Sequence, residues 1–163
     1  MKIGFHTLPL GDYPLTEVIP QLAALGYQGI ELNAQSSPWG KPHVSPRLGP
    51  KKRATIRQLA RDNGIEISAI STHTSLLDVD RRARQRHVDF LKGCMDLALD
   101  VGTSVVITMS GTAPPPEVSR EKAWGWLLEN ITTLIHYAEE RGVTFAFEPV
   151  GFTLVADMED LRR

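Results

Sequence analysis

The segment DVGTSVVITM, residues 100–109, joins the end of a helix-like stretch to a short apolar run through Gly102. Glycine ends a helix at little cost, because it adopts the left-handed conformation without a Cβ clash. The same order of features recurs around Gly26, Gly64 and Gly142, so the four glycines are separated by 38, 38 and 40 residues. Repeated helix ends, each followed by a strand-like run, predict a chain of βα units.

Apolar periodicity and turn residues predict strands and helices that alternate along the whole chain. The predicted strands cover residues 2–6, 29–33, 65–71, 104–109 and 143–148. The predicted helices cover residues 15–25, 51–63, 81–101, 119–141 and 158–163, the last of them capped by Asp157 or a neighbour. The connection over residues 34–50 contains four prolines, which exclude regular structure there.

Helical spacing also predicts which apolar side chains face the core. They are Leu15, Val18, Ile19, Leu22 and Leu25, then Ile56, Leu59 and Ala60, then Val88, Leu91, Met95, Ala98 and Leu99, and finally Trp124, Leu127, Leu128, Ile131, Leu134, Ile135 and Ala138. The strand at 104–109 is almost continuously apolar, which is typical of a strand covered on both faces. The charged run at 80–86 is expected to be a solvated helix face, with a phosphate-binding arginine as the alternative.

Size and composition are those of a globular protein, and residues 1–163 are expected to form one domain. The formal net charge of −1 gives no attraction to nucleic acid or to an anionic membrane. No apolar run approaches the ~20 residues that span a bilayer. The single cysteine, Cys94, rules out an internal disulfide and fits a packing role in a reducing, cytoplasmic environment.

Alternating strands and helices predict a parallel sheet with right-handed crossovers, and two folds fit. An open doubly wound sheet suits the chain length. A (β/α)8 barrel takes ~250 residues, so the chain would be an incomplete barrel. The open sheet lacks its expected glycine-rich phosphate loop, because HTLPLG at residues 6–11 is not such a loop. Periodicity alone leaves the two folds equal.

Polar and ionisable residues recur where the predicted strands end, which is the edge that binds ligands in either fold. Two histidines, His6 and His73, and one carboxylate, Glu148, could converge there, as a divalent metal or a proton-transfer site requires. Glu148 is the sharpest candidate, because a carboxylate that ends a strand fit for burial needs a metal, a cation or a proton. A structural, hydrogen-bonded imidazole is an equal alternative for His73, and Glu31 is expected to be a structural carboxylate.

Five stretches together resemble the sugar phosphate isomerase/epimerase family, the xylose isomerase-like barrels. They are GYQGIEL at 26–32, IEISAISTH at 65–73, residues 86–98, residues 105–111 and FAFEP at 145–149. The likeness covers the whole chain, and the order and spacing of the stretches make chance agreement improbable. The resemblance implies an α/β fold of the TIM-barrel type that is incomplete, with about five parallel strands and four to five helices. Residues 1–163 would be its N-terminal part.

The resemblance further implies a metal-dependent isomerase or epimerase that acts on a small carbohydrate or hydroxy-carbonyl compound. Family members hold a divalent metal (Mn, Mg, Zn or Co) near the barrel axis with Glu, Asp, His and Glu from strands five to eight. The metal stabilises the enediolate that forms when a proton alpha to the carbonyl is removed. Glu148 matches the first ligand, and the other three would lie beyond Arg163. The chain by itself is therefore expected to bind metal poorly.

Residue by residue, the resemblance makes Glu148 a metal ligand and a catalytic, proton-transferring carboxylate. His6 and His73 would line the substrate end of the cavity, with His43 approaching from the second loop and Ser110 at the end of the fourth strand. Endonucleases of the family carry a zinc-ligating histidine at that fourth strand end, and this chain has none, so DNA repair is not expected. Residues 151–155 lack the extra acidic residue of many ketose epimerases, so free-ketose epimerisation gains no special support.

Two other functions stay open on the sequence. A half barrel exposes the edges of its first and last strands, and such edges pair with other chains, so the chain could be a non-catalytic or self-assembling module. An open sheet could instead bind a small ligand. Strand order separates them, because the sequential order 1-2-3-4-5 favours a barrel and an internal first strand favours the open sheet.

Overall fold

Strands and helices alternate along the chain, as a computed structural model shows. The structure describes residues 1–38 and 40–163. The strands are β1 Gly4–His6, β2 Gly29–Asn33, β3 Glu66–Ser71, β4 Val105–Thr108 and β5 Thr144–Phe147. The α-helices are α1 Leu15–Ala24, α2 Pro50–Asp62, α3 Arg81–Val101 and α4 Arg120–Arg141. Each limit lies within two residues of its prediction. Short 3-10 turns occur at Leu8–Leu10 and Asp160–Arg162.

All strand pairs are parallel, and the sheet order is β1-β2-β3-β4-β5. This sequential order is that of a barrel, and the open-sheet alternative with an internal first strand is wrong. Because every crossover in such a sheet has the same right-handed sense, all the helices lie on one face. The opposite face is called the inner face below. In a parallel barrel it surrounds the axis.

Glycines end the helices where the sequence predicted them to. Gly102 and Gly142 have φ of 100° and 65°, and their amides donate to helix carbonyls four and three residues back. At the other end of α3, the Asp80 carboxylate accepts from the amides of Arg82 and Ala83. Ser119 caps α4 by accepting from the amide of Lys122. These caps satisfy backbone groups that a helix end otherwise leaves unpaired.

The core lies between the outer face of the sheet and the helices, and it contains most of the predicted side chains. Four predicted core residues are instead exposed: Leu25 at 75%, Leu99 at 37%, Leu128 at 51% and Ile135 at 42%. The prediction for them was wrong, because helical periodicity shows which side of a helix is apolar but not how many neighbours cover it. Leu128 and Ile135 line a groove beside β5 that the segment at 160–163 covers only in part.

Three further expectations are corrected. The predicted helix at 158–163 is only the 3-10 turn Asp160–Arg162, although Asp157 does accept from the amides of Glu159 and Asp160. Strand β4 is not covered on both faces, since Val105 and Ile107 are only half buried on the inner face. Within the charged run, Arg84 is 7% exposed and donates to the carbonyls of Asp78 and Val79.

None of the helices in the described part of the chain combines the length and the apolar character that crossing a bilayer would require.

Candidate active site

Strand register brings the predicted polar residues to one edge of the inner face. His6 pairs with Glu31 across β1 and β2, and Asn33 pairs with Ser71 across β2 and β3. Side chains alternate along a strand, so these residues share the face opposite the fully buried Ile30 and Leu32. The carboxyl ends of β1 to β3 therefore form a polar corner.

His6 is held by two neighbours in this corner. Its Nε2 lies 2.8 Å from Ser71 Oγ and 3.6 Å from Glu31 Oε1. About a third of the His6 side chain is exposed, and so is a little over a quarter of Glu31. The Glu31 carboxylate thus lies near the His6 imidazole but beyond ordinary hydrogen-bond distance. The imidazole is oriented while part of its ring stays accessible.

His73 lies beside His6, with ring centroids 6.0 Å apart and planes tilted by 34°. Burial lowers the pKa of His73, the neighbouring His6 lowers it further, and the carboxylates of Glu148 and Glu31 oppose the shift. Its backbone amide donates to Gln35 Oε1 at 3.2 Å, whereas its buried Nδ1 has no hydrogen-bond partner in the described part of the chain. The environment thus favours a neutral imidazole.

Glu148 follows β5 directly, and its amide donates to the carbonyl of Thr108 at 2.8 Å, which extends the pairing with β4 by one residue. Phe145 and Phe147 line a groove against α4, so alternation places the Glu148 side chain on the inner face. The carboxylate is exposed and has no hydrogen bond or ion pair with any described residue. Its charge nevertheless acts on His73 across the sheet edge.

Two of the predicted substrate-binding residues, Ser110 and His43, have hydrogen-bond partners within the chain. Ser110 is fully buried, and its hydroxyl accepts from the amide of Val155 at 3.3 Å. His43 Nε2 lies 3.1 Å from the carbonyl of Leu10 and 3.2 Å from that of Tyr13. Both acceptors are carbonyls, so Nε2 carries the hydrogen and fastens the first loop to the second. Ser110 and His43 are thus each tied to another loop of the chain, and their contact with a substrate stays a prediction.

Sequence reasoning missed the residues that hold the corner in place. Asn33 is fully buried, and its side-chain amide donates to the carbonyls of Gln35 and Lys41, so it fixes the loop after β2. Gln35 then reaches the His73 amide. A polar residue at the end of an apolar strand was the available signal for Asn33. Nothing local marked Ser71 or Gln35, since their partners are 65 and 38 residues away.

The chemistry open to this arrangement is hydrogen bonding to hydroxyl groups and coordination of a cation through a carboxylate. The Glu148 oxygens suit a hard divalent cation. Among residues 1–38 and 40–163, however, no three or more His, Cys, Asp or Glu side chains gather in a way that could hold a metal ion. Glu148 therefore fits as one ligand, and the described residues do not complete a site.

Comparison with known proteins places this geometry in context. Residues 19–163 match the family model of the xylose isomerase-like TIM barrel. Fructoselysine 3-epimerase of Escherichia coli O157:H7 is 29% identical over 160 residues, which cover 92% of this chain and 54% of that protein. The chain thus spans about half the length of the curated relatives it matches.

Solved structures share the fold. A xylose isomerase-like TIM barrel protein from Mycobacterium smegmatis in complex with magnesium has a TM-score of 0.74 at 22% identity, covering 99% of this chain and 59% of that one. The IOLI protein with a binding zinc atom has a TM-score of 0.78 at 18% identity, covering 99% of this chain and 56% of that one. With a family model that matches most of its length, this chain belongs to the xylose isomerase-like TIM barrel family.

Proposed function

We propose that residues 1–163 form one domain that supplies five strands of a metal-dependent sugar isomerase or epimerase. One observation carries the proposal: the unpaired carboxylate of Glu148 lies on the inner face at the end of β5, within electrostatic range of His73. Membership of the family and the name of the curated relative support the reaction class. We also place the protein in the cytoplasm, because Cys94 is a buried free thiol that needs no oxidising compartment.

In this proposal Glu148 is a ligand of the divalent metal, and the remaining ligands come from further strands of a complete barrel. Neighbours in structure contain magnesium or zinc, which makes a divalent metal a reasonable expectation here. When bound, the metal polarises the carbonyl and hydroxyl oxygens of the substrate and stabilises the charge that develops after proton removal.

The polar corner binds the substrate hydroxyls in this proposal. Because burial lowers the pKa of His73, its imidazole is neutral at neutral pH and can exchange hydrogen bonds with a hydroxyl group. His6, oriented by Ser71 and Glu31, offers the accessible part of its ring to the same cavity. The carboxylate of Glu148 acts electrostatically on His73, and in this proposal the reacting carbon lies between these two groups.

Substitution of Glu148 tests the proposal in a full-length protein that carries this chain. We expect Glu148→Gln to lower metal content and to slow epimerisation by about 100-fold or more, because the charged ligand is lost while size is kept. Metal is measured by mass spectrometry, and turnover by incorporation of solvent deuterium next to the substrate carbonyl. Glu159→Gln, which removes an exposed carboxylate after β5, is the control and should change neither. Full metal content and turnover in Glu148→Gln would refute the proposal.

A second candidate, a self-assembling half barrel without catalysis, is favoured by the exposed apolar side chains along β5 and α4. Edges of this kind pair with other chains. Its distinguishing property is association of the chain with itself.

A further inference from the structure

Helix α2 carries a stripe of arginines that the proposed function does not use. Arg53, Arg57 and Arg61 recur every four residues, so they lie on one side of the helix. They line a surface groove of about 320 Å³ beside the C-terminal end of α3. Pro50, Ala54, Gln58 and Asp100 complete its lining.

This region is basic in a chain whose net charge is −1. Residues 47–61 contain six arginines and lysines and no acidic residue. Like charges four residues apart on a helix repel each other and destabilise it. An anion bound between the arginines would relieve that repulsion.

The acidic groups near the stripe are already engaged. Asp100 accepts from Arg53 Nη1 at 2.8 Å, and Arg53 also donates to the carbonyls of Leu48 and Pro46. The carboxylate of Asp62 accepts from Gln58 at 2.6 Å. Arg57 and Arg61, by contrast, make no hydrogen bond or ion pair with any residue that the structure describes. Two exposed guanidinium groups thus have no partner among the described residues, beside a groove in which Arg53 is fixed by three hydrogen bonds.

We propose that this groove binds a phosphate group between Arg57 and Arg61, with the charge of Arg53 adding to the attraction. A guanidinium group donates two parallel hydrogen bonds to an oxyanion. One such fork satisfies a carboxylate, whereas the three terminal oxygens of a phosphate can accept from two forks at once. Phosphate therefore matches the paired arginines better than a carboxylate does.

Calorimetric titration of the 163-residue chain with inorganic phosphate, at constant ionic strength, tests this site. A simple phosphate monoester and acetate serve as the second and third probes. We expect saturable phosphate binding in the low millimolar range. The double variant Arg57→Gln/Arg61→Gln should bind phosphate about tenfold more weakly or worse, because two charge-assisted forks are lost. Circular dichroism verifies that each variant is folded.

The matched control is Arg81→Gln/Arg82→Gln, which removes the same charge from two exposed arginines at the start of α3. It should bind phosphate within about twofold of the unmodified chain if the groove provides the specific contacts. Tighter binding of the monoester than of inorganic phosphate would assign the site to an esterified phosphate, and the reverse order to the free ion. Absence of saturation, equal weakening in the control, or acetate binding as tight as phosphate binding would each overturn the proposal.

Discussion

At the scale of single residues, three half-buried histidines make stability depend on pH. Burial is the largest cause of the lowered pKa of His43, His73 and His87. Protonating a buried imidazole costs free energy in the folded protein but not in the unfolded chain. The unfolded chain therefore binds protons more readily. The stability is fully present above the ordinary histidine pKa of about 6.5 and is lost as the pH falls through the lowered folded pKa values.

His43 allows this linkage to be measured at one residue. We expect the free energy of unfolding in urea to fall between about pH 7.5 and about pH 5.5, and to fall less in His43→Gln. At the higher pH, His43→Gln should already cost about 1 kcal/mol, because the hydrogen bonds to the carbonyls of Leu10 and Tyr13 are disturbed. His136→Gln, at a side chain that is 72% exposed, is the control. An unchanged pH dependence in His43→Gln would contradict this account.

The contacts of Arg84 could not be predicted from the sequence. Its neighbours in the charged run indicate a solvated helix face, yet its guanidinium group lies 4.4 Å from the ring centroid of Trp126 on α4. It also donates to two carbonyls of the loop before α3. These partners are set by the packing of α3 on α4, which no local pattern encodes. The alternative reading of a phosphate-binding arginine has no support at this buried position.

At the scale of elements, the glycine after each helix was the most reliable signal in the sequence. The limits of α3 were predicted without error, because the Asp80 cap and the left-handed Gly102 are both local features. The predicted final helix failed for the complementary reason. Its cap at Asp157 was recognisable, but the apolar residues that follow, Met158 and Leu161, stay 64% and 39% exposed, and short helices take most of their stability from packing.

Two glycines, one within α4 and one directly after it, separate the effect of a left-handed backbone from that of a helical one. Gly142 has φ of 65°, Gly125 lies within the helix, and an added Cβ would meet no atom within 4 Å at either position. We expect Gly142→Ala to lower the free energy of unfolding by about 1–2 kcal/mol, because alanine is strained in the left-handed region. Gly125→Ala should raise it by roughly 0.5–1 kcal/mol, because alanine loses less entropy in a helix. Urea unfolding measures both, and changes of the same sign would contradict the proposed role of Gly142.

At the scale of the whole molecule, the two ends of the sheet are incompletely covered. A groove of about 400 Å³ lies along α1 and β1 and is lined by residues such as Phe5, Leu22 and Tyr27. A second groove of about 220 Å³ lies along α4 and β5. Closed barrels have no such ends, because the first and last strands pair. The helix surfaces predicted to be buried and found exposed are concentrated at these ends, for example Leu25 and Leu128.

In the candidate site, too, local features were predictable from the sequence and long-range contacts were not. The strand ends that carry His6, His73 and Glu148 were predictable, because parallel strands align their carboxyl ends at one edge. The enclosure of Ser110 and the contact between His43 and the first loop were not, since both depend on loops brought together by the completed fold. Sequence patterns thus located the edge at which these residues gather but did not separate its accessible side chains from its buried or hydrogen-bonded ones.

Association of the chain with itself is the expected consequence of these uncovered ends. Light scattering coupled to size exclusion should give a mass that rises with the concentration of the 163-residue chain. Leu128→Lys should weaken the association by about tenfold or more, because burying one leucine contributes about 1.5–3 kcal/mol. Val79→Lys places the same charge at a side chain that is 54% exposed and belongs to neither groove, so it should leave the association unchanged. A folded monomer at every concentration would exclude the self-assembling half barrel and leave the enzyme proposal as the remaining candidate.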